Sequence, residues 1–389
     1  MRHVSASTVT AGLLAVVVSY AGPLLIYLQA ANAMQVSPGV FSSWVFAISV
    51  AAGISSISLS LWFRAPVAMA WSAPGTVLLI SLGTSLSPGE VVGAYVAVAM
   101  ALVLLAASGL FDILVRILPS PVTNGMMAGI LFSFGLKAIG GLAADPMTFA
   151  LLVAAFVVLS ATVPRYAILG LLGMAAVLTV FFHDAPVEHV RLSLAEPHLV
   201  APAFSAPALL GLAVPLLITT LGGQFLPGMA ILRANGFHVA TRPILMFAGV
   251  ASLAGAFLGG ITTALASITA AFCAGPECHE DPTRRYVAGV ACGVFFCIGG
   301  IFSGTIADLL VLLPTSMITL LAGLALLGPI QKSLTDTMNG SDVQSGLMTF
   351  LVTASGVEIA GVGSAFWGVG VGLLVWHLAG FTRKVMGRS

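Results

Sequence analysis

Two long stretches of the chain carry no charged residue, and this pattern restricts the fold more than any other feature of the sequence. No Lys, Arg, Asp or Glu lies between Arg2 and Arg64, and none lies between Arg242 and Glu277. Of the 389 residues, 59% are hydrophobic and 7% are charged, whereas a soluble domain carries about 25% charged residues. Because one membrane crossing needs roughly 20 apolar residues, the sequence predicts a polytopic membrane protein.

Turn signals and charged residues divide the chain into 14 predicted transmembrane segments. The apolar stretch after Arg2 continues too far for a cleaved signal peptide and is interpreted as a retained first helix. With the N-terminus inside, nearly all of the 14 basic residues fall on the cytoplasmic side, as the positive-inside rule requires. Both termini are therefore predicted to be cytoplasmic. The segments lie near 8–31, 40–62, 74–86, 90–112, 119–140, 146–163, 166–183, 206–232, 241–258, 263–275, 284–303, 307–328, 343–357 and 361–382.

The two halves of the chain contain a repeated motif. The stretches DILVRILPSPVTNGMMAG (112–129) and DLLVLLPTSMITLLAG (308–323) share an Asp, an apolar run, Leu-Pro, a hydroxyl residue and Ala-Gly. Seven crossings per unit reverse the direction of the chain, so the two copies have opposite orientations. The predicted fold is an all-α polytopic membrane protein with a 7+7 inverted repeat. The polar stretch 184–205 joins the halves on the outside.

Segments three and ten are short, rich in glycine and hydroxyl residues, and uncharged. They contain WSAPGTVLLISLGTS (71–85) and GGITTALASITAAF (259–272). Such paired, interrupted segments are typical of discontinuous half-helices that build a transporter's binding site. We expect each to be half extended and half helical, with the two helix N-termini meeting near the midplane. Unpaired backbone N–H groups and the positive end of the helix dipole favour an anion there.

Several residues of these segments are candidate substrate contacts. Ser72 is placed to cap segment three, and Thr262 and Thr263 are placed to cap segment ten. The alternative is that these hydroxyls only bond to neighbouring backbone in tightly packed helices. Pro74 suits the first helical turn, and Gly75 permits close approach of a ligand. The candidates of the two segments also include Thr76 and Ser267.

Gln224 is the main candidate outside the short segments. It lies in the middle of segment eight, ahead of Pro227, and a buried amide needs hydrogen-bonding partners. The partner is either the substrate or a neighbouring helix. The matching candidates from segment one are Tyr20, Gly22 and Gln29.

Neither short segment contains a carboxylate, which bears on the substrate class. A nucleobase presents ring N–H donors that an acidic side chain accepts, whereas a carboxylate substrate needs donors and is repelled by an acid. The pattern therefore favours a small organic anion over a neutral base. Trp71, Phe225 and Phe272 are candidates for contact with a ring, although each is also a common packing residue.

The few charges near the membrane segments have competing interpretations. Lys137, near the outer end of segment five, is interpreted as a snorkelling lysine. Asp112 and Asp308 occupy equivalent repeat positions, and we expect them to cap the next helix, with proton carriage as the alternative. The run His-Glu-Asp at 279–281 lacks the spacing of a zinc motif and is interpreted as a helix-initiating loop. No metal and no cofactor is predicted.

Three stretches carry a family resemblance, namely AWSAPGT (70–76), TTLGGQFLPGMAILRANGF (219–237) and ALASITAAFCAGPECHEDPTRRY (264–286). Through them the chain is similar to the benzoate:proton symporter family (BenE), which is related in fold to nucleobase and ascorbate transporters. The chain departs from the family pattern at Ala264, where members often carry an amide. Ala264 is therefore included among the candidate substrate contacts.

The resemblance implies a core that moves against a gate. The core comprises 1–118 (segments 1–4) and 206–303 (segments 8–11), the gate comprises 119–183 (segments 5–7) and 304–389 (segments 12–14), and 184–205 is a periplasmic linker. The implied location is the bacterial cytoplasmic (inner) membrane, in contact with lipid, and a homodimer through the gate domain is a further expectation. No nucleic-acid partner is expected.

The leading function is a secondary transporter, not an enzyme, that imports benzoate or a similar small aromatic carboxylate with a proton by alternating access. The proton travels either on Asp308 or Asp112 or with the substrate carboxylate, and the sequence leaves both routes open. The alternatives are a carrier of another small anion or of a nucleobase-type substrate, and an anion channel. A membrane-embedded enzyme is disfavoured, because no catalytic constellation lies at midplane depth.

Overall fold

The computed structural model describes residues 4–82, 85–111, 113, 118–140, 145–182, 191–340 and 342–385. Two short strands interrupt an otherwise helical chain. In order, the elements are α1 (Ala6–Ala21), α2 (Pro23–Ala33), α3 (Pro38–Phe63), β1 (Met69–Trp71), α4 (Ala73–Leu82), α5 (Pro88–Ser108), α6 (Ser120–Gly140), α7 (Pro146–Thr162), α8 (Ala167–Phe182), α9 (Ala208–Ala234), α10 (Thr241–Ala256), β2 (Thr263–Leu265), α11 (Ser267–Ala274), α12 (Tyr286–Ile301), α13 (Ser303–Val311), α14 (Thr315–Met338), α15 (Val343–Ala354) and α16 (Ser364–Val385).

Helix length and composition confirm a polytopic membrane protein. Within the described residues, eight helical stretches have at least 18 residues and are apolar enough to cross a membrane. Five further apolar helices have 10–17 residues. Short apolar helices of this kind are common where transporter segments are broken rather than continuous.

Proline and capping residues set most helix starts. Ser37 accepts a hydrogen bond from the Val40 N–H at the start of α3, and Pro38 occupies the first turn. Pro119 and Pro314, the prolines of the repeated motif, directly precede α6 and α14, and their carbonyl oxygens accept the first helical hydrogen bonds. Proline suits this position because its fixed φ matches a helix and its missing N–H is not needed there.

Two predicted segments require correction. The first, 8–31, is broken at Gly22, since α1 ends at Ala21 and α2 begins at Pro23. The twelfth, 307–328, is wrong in its bounds, because α13 ends at Val311 and the Leu-Pro sequence starts a new helix that continues to Met338. In both places a proline ends one helix and begins the next.

The two short segments cross as an antiparallel pair of strands. Met69, Ala70 and Trp71 of β1 pair with Leu265, Ala264 and Thr263 of β2 respectively. Each strand leads directly into a short helix, α4 after β1 and α11 after β2. The prediction that both segments are half extended and half helical is confirmed. The paired strands satisfy backbone groups that would otherwise be unpaired inside the protein.

Helix α9 passes beside this crossing and contains two wide π-helical turns. The turns cover Ala208–Ala213 and Leu221–Phe225, and each lies ahead of a proline, Pro215 and Pro227. A proline inside a helix removes one backbone hydrogen bond and clashes with the preceding turn, which favours a local widening. The second widened turn carries Gly222, Gly223 and Gln224.

Small residues let several helices pack closely. A Cβ on Gly53 of α3 would lie 2.7 Å from the Gly293 carbonyl oxygen of α12. A Cβ on Gly125 of α6 would lie 2.2 Å from the Gly346 carbonyl oxygen of α15. Helices α3 and α12 thus form one tightly packed group, and α6, α14, α15 and α16 pack together in another. Small residues allow such close helix approach inside a membrane.

Candidate functional site

A cavity of about 300 Å³ lies beside the strand crossing, a size at the lower end for small-molecule sites. Part of the wall comes from the end of β1, the first turn of α4, Ala266 with the first turn of α11, and the widened turn of α9. Another part comes from α6 and α14. The lining residues are Ser19, Pro23, Ala70, Trp71, Ala73, Pro74, Asn124, Met127, Leu131, Gly222, Gly223, Gln224, Pro227, Ala266, Ser267, Ile268, Thr269, Leu326, Gly328, Pro329, Lys332, Ser333 and Asp336.

The N-terminus of α11 faces this cavity without a side-chain cap. The residue before the helix is Ala266, whose methyl group cannot accept a hydrogen bond. The first-turn residues Ser267, Ile268 and Thr269 all line the cavity. First-turn N–H groups have no intrahelical partner, so this turn presents donors and the positive end of a helix dipole to the cavity.

The expectation that Thr262 and Thr263 cap segment ten is wrong. Both residues precede α11 by several positions, because the strand β2 intervenes before the helix starts at Ser267. The Thr262 hydroxyl lies 3.4 Å from the Thr220 hydroxyl. Thr263 is 1% exposed, and its buried hydroxyl has no partner among the described residues. Neither residue lines the cavity, and the same holds for Ala264.

The corresponding turn of α4 is closed. Ser72 caps it as predicted, since its hydroxyl oxygen accepts the Gly75 N–H at 3.2 Å. The Thr76 hydroxyl donates to the Ser72 carbonyl at 3.1 Å. A Cβ on Gly75 would lie 2.2 Å from Leu216 Cδ1, so the glycine permits close packing on α9. Of these candidates, the structure places only Pro74 on the cavity wall.

Gln224 lines the cavity and is 8% exposed. Its side-chain amide makes no hydrogen bond to another described residue, so no interhelical bond engages it in this structure. Asn124 of α6 lines the same cavity. Sequence reasoning missed Asn124, although it belongs to the repeated motif. The side-chain amides of Gln224 and Asn124 thus both offer N–H donors to the cavity.

Trp71 lines the cavity and is held by other aromatic rings. Its ring centroid lies 6.1 Å from that of Tyr20 and 5.7 Å from that of Phe296. The Tyr20 hydroxyl donates to the Ser49 hydroxyl at 2.8 Å. The indole N–H of Trp71 is buried and has no partner in the described part of the chain, which leaves one more donor beside the cavity.

The remaining candidates from segment one lie away from the cavity. Gly22 forms the break between α1 and α2. The Gln29 amide donates to the Thr319 hydroxyl of α14 at 2.7 Å. Tyr20, as described above, supports Trp71 from behind. Phe225 and Phe272 are buried in the hydrophobic core and also lie off the cavity wall.

The charged residues on the cavity wall are ones that sequence reasoning did not place there. Lys332 and Asp336, one helical turn apart on α14, both line the cavity. Neither forms an ion pair with another described residue. Sequence reasoning missed them because predicted segment twelve ended at 328, whereas α14 continues past Pro329 to Met338.

The predicted capping role of Asp308 is wrong. Asp308 lies within α13, and its carboxylate accepts a hydrogen bond from the Ser193 hydroxyl at 3.4 Å. Helix α14 has no side-chain cap. Asp308 does not line the cavity, and Asp112 lies outside the described residues.

The acidic loop after α11 initiates a helical turn, as predicted. Asp281 accepts hydrogen bonds from the Thr283 hydroxyl at 2.7 Å and the Thr283 N–H at 2.9 Å. These bonds, the hydroxyl's foremost, lower the pKa of the Asp281 carboxyl. The buried Arg285 guanidinium donates to the carbonyl oxygens of Ala274, His279 and Glu280, and so ties the loop to the end of α11.

A family model described as benzoate membrane transport protein (BenE) matches residues 2–378. The chain belongs to this family. Members of the BenE family are membrane transport proteins, so the chain is a transporter rather than an enzyme.

Two relatives of this BenE family member match along nearly their whole length. The benzoate membrane transport protein of Acinetobacter baylyi is 41% identical over 375 residues, which cover 96% of this chain and 95% of the relative. The inner membrane protein YdcO of Escherichia coli is 35% identical over 363 residues, which cover 93% of each chain.

Solved structures of transporters share the fold of this BenE protein at low sequence identity. The structure of SLC26A9 superposes with a TM-score of 0.63 at 15% identity, over 95% of this chain and 64% of that one. The transmembrane domain of the cyanobacterial bicarbonate transporter BicA gives a TM-score of 0.57 at 15% identity, over 95% of this chain and 96% of that one. Murine Slc26a9, an anion transporter in the inward-facing state, gives a TM-score of 0.64 at 14% identity, over 97% of this chain and 68% of that one.

Proposed function

We propose that this protein imports benzoate or a similar small aromatic carboxylate, together with a proton, by alternating access across the bacterial inner membrane. The observation that carries the proposal is the uncapped first turn of α11, which faces a small cavity. An anion at a helix N-terminus is stabilised by backbone N–H groups and the helix dipole. The names of the two relatives and the family description support benzoate and the inner membrane.

The cavity suits a guest with one charged end and one apolar end. The carboxylate would accept hydrogen bonds from the α11 N-terminus, with the amides of Gln224 and Asn124 as further donors. Lys332 adds a positive charge on the wall, one helical turn from the negative charge of Asp336. Apolar side chains such as Met127 and Leu131 of α6 would cover the ring, since small-molecule sites combine apolar walls with a few polar anchors.

The proposed architecture is a 7+7 inverted repeat of 14 segments, with core and gate as the sequence predicts. The antiparallel crossing of β1 and β2 supports it, because inverted copies bring equivalent strands together head to tail. The cavity lies between core elements and the gate helices α6 and α14. Alternating access then consists of movement of the strand crossing relative to those gate helices. A homodimer through the gate remains an expectation.

The side of the membrane that the cavity faces follows from the basic residues. Lys332 lies toward the C-terminal end of α14, an end that the positive-inside rule assigns to the cytoplasm. The proposed conformation is therefore inward-facing, with the substrate site exposed to the cytoplasmic side.

We propose that the coupled proton crosses the membrane on the carboxyl group of the substrate. Asp308 bonds to Ser193 and lies off the cavity, which does not favour a direct part in coupling. A substrate that binds as the anion and takes up the proton in the site needs no acid of the protein. Uptake driven by a pH gradient in Asp308→Asn should then equal that of the wild type, and loss of coupling in that variant would favour the aspartate route.

A second candidate is a carrier of another small anion. The solved structures of similar fold are named as anion and bicarbonate transporters, and a helix N-terminus binds any small anion. A nucleobase-type substrate is less favoured, because neither β1–α4 nor β2–α11 carries an acidic side chain, and Asp336, the acid on the cavity wall, lies one helical turn from the positive charge of Lys332.

The test is uptake of labelled benzoate into proteoliposomes that contain the purified protein. We expect saturable uptake that a protonophore abolishes and that unlabelled aromatic carboxylates compete for. Bicarbonate and uracil serve as competitors that report the alternatives. Saturable uptake of either one, with no uptake of benzoate, would overturn the proposal.

A further inference from the structure

A second cavity, of about 360 Å³, lies at the other end of the same two helices. Residues from the beginning of α4 and α6 line the first cavity, and residues from the end of both helices line the second. The end of α15, the loop after it and the start of α16 complete the second wall. Its polar lining includes Ser81, Ser133, Lys137, Ser355, Glu358 and Ser364.

The serine hydroxyls of this cavity already donate their protons to backbone carbonyl oxygens. The bonds are Ser81 to Leu78 (2.7 Å), Ser133 to Gly129 (2.9 Å) and Ala354 (3.1 Å), Ser355 to Val352 (2.7 Å), and Ser364 to Thr353 (2.8 Å). Apart from the buried Thr353 hydroxyl, which has no partner among the described residues, a ligand must therefore find strong side-chain donors among the charged residues of the wall.

Lys137 provides those donors. It lies in the last turn of α6 and carries three N–H groups. Glu358, in the loop between α15 and α16, is the other charged residue among the described residues of this wall. Neither side chain forms an ion pair with another described residue. Two exposed residues of opposite charge thus border one mostly apolar cavity without forming an ion pair with each other.

We propose that the second cavity is an outer vestibule in which Lys137 binds the carboxylate of the incoming substrate, while Glu358 opposes this binding. The proposal rests on the proposed function, since it assigns the same substrate class to a second site. Lys137 attracts the carboxylate at the entrance to the seam between α4 and α6. Glu358 repels it by like charge, which keeps the affinity low enough for the substrate to move on toward α11.

The test compares the two sides of the membrane. Labelled benzoate uptake in right-side-out vesicles gives the half-saturation concentration outside, and counterflow in inside-out vesicles gives that inside. We expect Lys137→Gln to raise the half-saturation concentration outside about tenfold, which corresponds to ~1.4 kcal/mol. The half-saturation concentration inside should change less than about twofold. Lys137→Arg keeps the charge and should retain the wild-type value outside.

Glu358→Gln should have the opposite effect. Removal of the repelling charge should lower the half-saturation concentration outside severalfold. An unchanged outside value in Lys137→Gln, or an equal change on both sides, overturns this inference alone when wild-type uptake is normal. Absence of any aromatic carboxylate uptake by the wild type overturns the proposed function and this inference with it. Thermal unfolding of each purified variant shows whether a loss comes from misfolding.

Discussion

The two strand–helix segments at the cavity share one backbone plan and differ in their first helical turn. In β1–α4, the Ser72 hydroxyl accepts the Gly75 N–H, and the turn packs against Leu216 of α9. In β2–α11, Ala266 provides no cap, and the turn beginning at Ser267 faces the cavity. One helix N-terminus is satisfied by the protein, and the other is left for a ligand.

This difference gives the proposed inverted repeat a single site. Two strand–helix segments of similar plan supply two helix ends, and first-turn N–H groups of a helix have no intrahelical partner. A hydroxyl residue at 72 and an alanine at 266 then decide which end remains open. A carrier of one small carboxylate needs only one such end, so the asymmetry agrees with the proposed substrate. The experiments below test whether the two ends differ in the way the structure indicates.

The largest effect is expected from a fixed negative charge at the open turn. Ser267→Asp should lower the kcat/KM for benzoate uptake roughly 100-fold, about 2.7 kcal/mol, because the new carboxylate repels the substrate and occupies the N–H donors. Ser267→Asn has nearly the same shape without the charge and should lose less than about tenfold. Equal losses in both variants would show that shape, not charge, governs this position.

The second effect concerns how each segment packs on α9. A Cβ on Gly228 would lie 2.5 Å from the Leu265 carbonyl oxygen of β2, whereas a Cβ on Gly75 meets the end of the Leu216 side chain. Backbone yields less readily than a side chain, so Gly228→Ala should destabilise the protein by about 1–3 kcal/mol and Gly75→Ala by less. Thermal unfolding in detergent measures both. The reverse order would contradict the packing described for β2.

A smaller effect is expected from the amide beside the open turn. Gln224→Ala should raise the half-saturation concentration for benzoate by up to about tenfold, since one hydrogen bond to a charged group contributes roughly 1.5 kcal/mol or more. Gln29→Ala is the matched control, because that amide bonds to Thr319 away from the cavity. Wild-type kinetics in Gln224→Ala would show that Gln224 does not bind the substrate.

The smallest effects separate stability from binding. Ser72→Ala removes a cap and should cost about 1 kcal/mol of stability with an unchanged half-saturation concentration. Ser267→Ala removes no cap and should leave stability unchanged while weakening binding a few-fold. Thermal unfolding gives the stability of each variant, and uptake gives the half-saturation concentration of each. If Ser267→Ala proves as destabilising as Ser72→Ala, the first turn of α11 is not open.

The sequence predicted the parts of this protein that depend on local chain chemistry. Uncharged runs predicted the membrane-spanning helices, and Pro119 marked a predicted helix start, because the ring restricts its own residue and its neighbours. The cap at Ser72 was predicted for the same reason, since it needs only residues three positions apart.

Features that depend on tertiary contact were not predictable in this way. Thr262 and Thr263 resemble cap residues, but strand pairing with β1 delays the start of α11 to Ser267. Lys332 and Asp336 reach the cavity because α14 continues past Pro329, a residue that usually ends a helix. Which surface of α14 faces α11 is determined by packing between distant parts of the chain, so no local pattern reveals it.

A structure of the protein with 4-iodobenzoate bound tests the central claim most directly, because anomalous scattering locates the iodine and therefore the direction of the ring. We expect the carboxylate within hydrogen-bonding distance of the backbone N–H groups of Ser267 to Thr269, with the iodine toward α6. A carboxylate bound at the capped turn of α4, or one that makes no contact with α11, would contradict the account.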